Sequence, residues 1–231
     1  MSGWSAEKLG PADAPLLVAT IHGGFWRSRV DAGSIAPLAG ALAAAGHAVW
    51  NLEYPRVGEA EGGWPGTADS VAAALDALLA EAAGRPVVVL GHSAGGHLAL
   101  WAARGRDVAA VVALAAVSDL AAADREGLGE GATAEFIGAS AATVPDAYRD
   151  AGPISRLPLG VPALLVHGDA DPRVPIGQSR AYAAAATAAG DEVELVELPG
   201  VDHMELIEPE GPARAAIDAR LGALGGAGRP S

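Results

Sequence analysis

The chain has 231 residues, 51% of them hydrophobic, no cysteine and a formal net charge of −13. Such a length and apolar content suit one domain with a sheet buried on both faces, and the absence of cysteine excludes disulfides, thiolate metal sites and a cysteine nucleophile. The negative balance argues against nucleic acid and anionic membrane as partners, because either needs a basic surface to displace counterions; with no basic-apolar leader and no apolar run of spanning length, the expected location is cytoplasmic.

Residues 1–15, polar and broken by Gly10, Pro11 and Pro15, are expected to form a loose lead-in. Residues 16–21 are an apolar run of buried-strand type that opens onto His22-Gly23-Gly24-Phe25-Trp26. A helix follows with Ile35, Leu38 and Leu42 on one face and ends near Gly46; residues 48–54 read as the next strand and 55–66 as a Gly-rich loop. Thr67 is placed to cap a helix carrying Val71, Leu75 and Leu78, which Gly84 and Pro86 close. Residues 87–90 form a strand that runs into Gly91-His92-Ser93-Ala94-Gly95-Gly96, and a helix bearing Leu98 and Trp101 follows directly. After an apolar strand at 110–117, residues 119–158 carry Gly127, Gly129, Gly131, Pro145 and Pro153; the stretch is expected to be irregular and to serve as a lid. The sheet resumes at 161–166, followed by a helix at 178–189, a strand at 192–198, a turn at 200–203, a helix bearing Ile217, Leu221 and Leu224, and a frayed tail at 225–231. Six strands alternating with helices predict an α/β fold with a doubly wound, mostly parallel sheet, in a single domain without internal repeats.

A strand that ends in G-x-S-x-G and turns at once into a helix is the nucleophile elbow of α/β-hydrolases, which makes Ser93 the candidate nucleophile. Acyl transfer also needs a base, an acid to orient it and donors for the oxyanion. Of the six histidines, His22 and His92 sit inside glycine motifs, His97 within the elbow helix, His167 at a strand end and His47 after a helix; His203, in the loop after the last strand, is the best-placed base. Asp171, past the penultimate strand, is the candidate acid, with Asp169 and Asp119 as alternatives; Asp169 fits a turn-forming role and Asp202 a loop-shaping one. The order Ser93, Asp171, His203 is the order of α/β-hydrolases. Consecutive glycines after the first strand let backbone N–H groups converge on an anion, so Gly24, Phe25 and Ala94 are the expected oxyanion donors, and Phe25 and Trp26 are placed either to line a substrate pocket or to pack under the lid. No His-Glu-x-x-His spacing and no Gly-Lys-Ser/Thr phosphate loop occurs, so neither a metal nor another cofactor is expected.

From about residue 16 to residue 210 the chain resembles α/β-hydrolases of the branch that holds kynurenine formamidases and small carboxylesterases related to hormone-sensitive lipase. The resemblance rests on His22-Gly23-Gly24-Phe25-Trp26, Tyr54-Pro55-Arg56, Gly63-Trp64-Pro65, the elbow, and His167-Gly168-Asp169-Ala170-Asp171 leading to Val174-Pro175 and Gln178-Ser179. It implies a serine hydrolase acting on a small-molecule acyl amide or ester, with Asp171 as the acid. An aryl formamide such as N-formyl-kynurenine is the first expected substrate and a short-chain or aryl ester the second. An acyltransferase, a perhydrolase or a silent binding module on the same scaffold are the other readings. The short lead-in implies that the two leading strands of the fold are missing or shortened, and the sheet edge left open would invite a homodimer. The base lies in Val201-Asp202-His203-Met204, where relatives have Gly-His-Phe.

Overall fold

A computed structural model of the chain describes residues 3–226. Seven strands form one sheet in the order β1-β3-β2-β4-β5-β6-β7, where β1 is Ser5–Leu9, β2 Leu17–Ile21, β3 Ala48–Glu53, β4 Val87–His92, β5 Ala110–Leu114, β6 Ala163–Gly168 and β7 Val193–Leu198. All neighbours are parallel except β1, which runs antiparallel to β3 with Ser5 opposite Glu53. The expected loose lead-in is therefore partly strand. Its five residues are mostly exposed at a solvated edge, a pattern too short and polar to stand out from a loop. One leading strand of the fold is thus present, and it covers the edge that was expected to lie open.

The strands β2, β4, β5 and β6 are buried on both faces, as their unbroken apolar runs require. Leu17, Ala19, Ile21, Val87 and Val89 point into one core layer with helices α2 (Gly66–Ala82), α3 (Ala94–Ala103) and α7 (Gly177–Ala188). Leu16, Val18, Val88 and Leu90 point into the other, with α1 (Ala36–Ala44) and α8 (Arg214–Gly226). Gly46, at φ +98°, ends α1 as expected. Thr67 does not cap α2 from outside. It lies within the first turn, where its hydroxyl accepts from Gly63 N–H and donates to the Pro55 carbonyl. The stretch expected to be irregular holds three short helices, α4 (Leu120–Arg125), α5 (Ala132–Ile137) and α6 (Pro145–Ala151). The glycines at 127, 129 and 131 separate α4 from α5 rather than abolishing helix. Residues 225 and 226 belong to α8, and 227–231 of the expected frayed tail lie outside the described residues.

The chain passes from β2 outward to β3 and returns across β2 to β4, so the strand order reverses between β2 and β4. Open parallel sheets form their binding crevice at the carboxyl ends of such a pair. Ile21 stands opposite Gly91 across it, which brings the His22-Gly23-Gly24 turn beside the elbow.

Candidate active site

The elbow is built on a forced backbone. Ser93 adopts φ 58° and ψ −119°, left-handed for a residue with a Cβ. Its N–H donates to the Leu114 carbonyl at 2.8 Å and its own carbonyl accepts from His97 N–H at 3.1 Å. The flanking glycines follow from close approach. A Cβ on Gly91 would strike the Gly95 carbonyl, and one on Gly95 would strike the carbonyls of Ile21 and His22. A Cβ on Gly23 would lie 3.0 Å from the Ser93 Cβ, so the turn after β2 is packed directly against the candidate nucleophile.

Beyond Gly23 the backbone stays left-handed for three residues, with φ +104° at Gly24, 53° at Phe25 and 58° at Trp26. Each such non-glycine residue costs on the order of 1–3 kcal/mol and persists only when its surroundings over-determine it. Here a buried anchor does so. The Trp26 indole is fully buried, stacks on Phe136 with ring centres 4.6 Å apart, and donates Nε1–H to His97 Nδ1 at 3.2 Å. His97 in turn donates from Nε2 to the Ala151 carbonyl at 2.9 Å. On the other side, Tyr54 donates its hydroxyl to the His22 carbonyl at 2.9 Å, and His22 donates from Nε2 to Glu53 at 3.0 Å. Clamped in this way, Gly24 and Phe25 donate their N–H groups to no backbone carbonyl among the described residues, and neither does Ala94 at the start of α3. Trp26 therefore lies under the segment that carries Phe136 and takes the packing role, one of the two its place in the sequence left open. Phe25 does line the cleft.

The candidate acid and base come from the loops after β6 and β7. Asp171 Oδ2 lies 2.6 Å from His203 Nδ1, so His203 donates from Nδ1 and turns Nε2 away from the carboxylate. Asp171 Oδ1 accepts the N–H groups of Arg173 and Val174 at 2.8 and 2.9 Å. A further partner escaped the sequence reading: His167 Nε2 lies 3.3 Å from the same Oδ2 and donates chiefly to the Val174 carbonyl at 2.9 Å. Burial alone would raise the Asp171 pKa. Hydrogen bonds from His167 and His203, with the charge of His203 and the Val174 N–H, outweigh it and hold the carboxyl well below the usual carboxylate range. His92, with its ring centre 4.4 Å from that of His203, donates from Nε2 to the His203 carbonyl. Burial, and then the neighbouring His203, push His92 down to about 3, so it stays neutral.

The remaining carboxylates take structural parts. Asp169 accepts from Gly200 N–H, which ties the two loops together; Asp119 accepts from Ala122 N–H at the start of α4; Asp202 accepts from the N–H groups of Met204 and Glu205 and shapes the His203 loop. Ser93 and His203 line one cleft of about 270 Å³ with Gly23, Gly24, Phe25 and an apolar wall of Val30, Met204 and Ile207. The apolar wall came from separate loops and had no pattern in the sequence.

Residues 8–185 match the sequence profile of one protein family, BD-FAE. The chain belongs to the BD-FAE family. No curated protein matches it. Among solved structures, this BD-FAE chain is similar to a truncated carbohydrate esterase from gut microbiota, with a TM-score of 0.77 and 20% identity over 94% of this chain and 87% of that one. It is similar to an acetyl ester-xyloside bifunctional hydrolase from Caldicellulosiruptor lactoaceticus, with a TM-score of 0.77 and 19% identity over 96% and 88%. A thermophilic esterase from Thermogutta terrifontis aligns with a TM-score of 0.74 and 21% identity over 97% and 88%. At such identities the likeness establishes the α/β-hydrolase fold.

Proposed function

We propose that the chain is a serine esterase that hydrolyses esters of small acyl groups through an acyl-enzyme. The observation that carries this reading is the pairing of Asp171 with His203 at 2.6 Å in a cleft that also holds Ser93 on its strained elbow. With its Nδ1–H bound to Asp171, His203 presents Nε2 as a base. Ser93 Oγ gives its proton to that nitrogen and attacks the acyl carbon, and the negative oxygen is met by the N–H groups of Gly24, Phe25 and Ala94. Collapse of the adduct breaks the bond to the alcohol, which leaves with the proton from His203. Water, deprotonated by His203, then releases the acid and restores Ser93. No step calls on a cofactor. The segment 119–158 serves as the cap of the cleft: a Cβ on Gly129 would lie 2.7 Å from the Phe25 ring.

Esters rather than formamides are the preferred class. Two neighbouring structures, a carbohydrate esterase and an acetyl ester-xyloside hydrolase, support them. The aryl formamide reading drew on the His22-Gly23-Gly24-Phe25-Trp26 motif, in which the Trp26 ring packs against Phe136 and His97 and so offers no face to an aryl substrate. The experiment is a comparison of kcat/KM for p-nitrophenyl acetate, p-nitrophenyl butyrate and N-formyl-kynurenine. Acetate turnover is expected to lead; dominance of the formamide would overturn the ester assignment.

A further inference from the structure

Beside the cavity with Ser93 and the apolar wall lies a second cavity of about 450 Å³ lined by Arg27, Arg29, Arg173 and Glu130, with Gly24, Phe25, Val30 and Arg173 common to both. Arg27 is already committed, with Nε and Nη2 bound to both oxygens of Glu135 at 2.6 and 2.8 Å. Arg29 and Arg173 are exposed, and among the described residues neither guanidinium takes part in an ion pair. Two guanidiniums without an ion pair thus line a cavity with one lining carboxylate, Glu130, while Glu135, near enough to Arg29 to feel its charge, is already bound to Arg27, in a chain whose net charge is −13. A local positive rim on so acidic a molecule gains nothing for solubility, but it attracts and orients an anion at the mouth of the cleft.

We infer that Arg29 and Arg173 form a subsite for a carboxylate carried on the alcohol portion of the ester. The inference rests on the esterase reading above. A small acyl group beside Ser93 lies against Val30, Met204 and Ile207, and the alcohol portion then has the adjoining second cavity open to it. A guanidinium presents paired N–H donors that match the two oxygens of a carboxylate, and the two arginines reach it from different loops. Arg173 also ties this subsite to the chemistry, since its backbone N–H binds Asp171 while its side chain faces the cavity.

The test is a matched pair of acetyl esters, 4-acetoxybenzoate and 4-acetoxybenzamide, which share acyl group and ring and differ in charge. The ratio of kcat/KM, charged over neutral, is compared between the wild type and the double variant Arg29→Gln/Arg173→Gln. The ratio is expected to fall about tenfold in the variant, as two exposed ion pairs warrant, and to fall in the wild type as salt is raised. An equal ratio in both proteins overturns the subsite. If neither ester is turned over, which counts against the esterase reading itself, equilibrium binding of 4-hydroxybenzoate and 4-hydroxybenzamide to the same two proteins decides: a preference for the benzoate confined to the wild type supports the subsite, and its absence overturns it.

Discussion

Asp171 holds His203 with one carboxylate oxygen and its own loop with the other. Oδ2 takes the imidazole Nδ1–H at 2.6 Å, while Oδ1 takes the backbone N–H groups of Arg173 and Val174. The side chain is therefore fixed before it meets the imidazole, which sets both the tautomer and the direction of His203.

Replacing Asp171 by Asn keeps the shape and offers His203 an amide in place of an acceptor-only carboxylate, which favours the wrong tautomer. Loss of kcat on the order of 10⁴-fold on p-nitrophenyl acetate is expected, by analogy with the same change in other triads. Asp169→Asn, which touches only the Gly200 N–H contact, should stay within about tenfold, a difference of roughly 1.4 kcal/mol in barrier. Equal losses would shift the acid to Asp169.

Acid should unfold the protein in two windows. His97 and His92 are pushed by burial to about 4 and about 3. Both lie below the unfolded value of about 6.5, so the unfolded chain binds more protons, and the stability they confer is full above that value and lost as the pH falls through their folded values. The lowered carboxyl of Asp171 acts the same way in a lower window, below about pH 4. His97→Gln can still accept from Trp26 and donate to the Ala151 carbonyl, and should flatten the fall of Tm between roughly pH 6.5 and 4. A slope identical to wild type would contradict the buried neutral His97.

Gly95→Ala places a Cβ against the Ile21 and His22 carbonyls, backbone atoms that cannot rotate away. A loss on the order of 1–3 kcal/mol is expected, read as a Tm lower by several degrees in thermal unfolding. An unchanged Tm would mean that the β2 turn does not press on the elbow.

Gly24→Ala forces a Cβ into Val30 at a residue with φ +104° and so displaces the two N–H groups that follow the turn. With folding intact by circular dichroism, kcat should fall about 10²-fold with KM changed less, the signature of a lost oxyanion donor.

The doubly buried strands, the elbow and the pairing of Asp171 with His203 were legible because each follows from a local signal: an unbroken apolar run, a glycine spacing, a position just past a strand end. Strand β1 escaped because an edge strand solvated on one face needs few apolar residues, and Ser5–Leu9 shows only a weak alternation. The helices of the cap escaped for the opposite reason: their glycines lie between helices, and spacing alone does not separate a break from a joint. His167, Arg29 and Arg173 were invisible as site residues, because their meaning depends on which loops converge. Trp26 stood open between pocket and packing because an aromatic after a glycine turn reads the same whether its ring faces substrate or core.

The most direct test of the central claim is intact-mass and peptide mapping after exposure to an alkyl fluorophosphonate, for the wild type and for Ser93→Ala, beside turnover of p-nitrophenyl acetate. One phosphonyl adduct on the peptide containing Ser93, with both adduct and turnover absent in Ser93→Ala, is the predicted result. An adduct on another residue, or ester turnover that survives in Ser93→Ala, would contradict the mechanism.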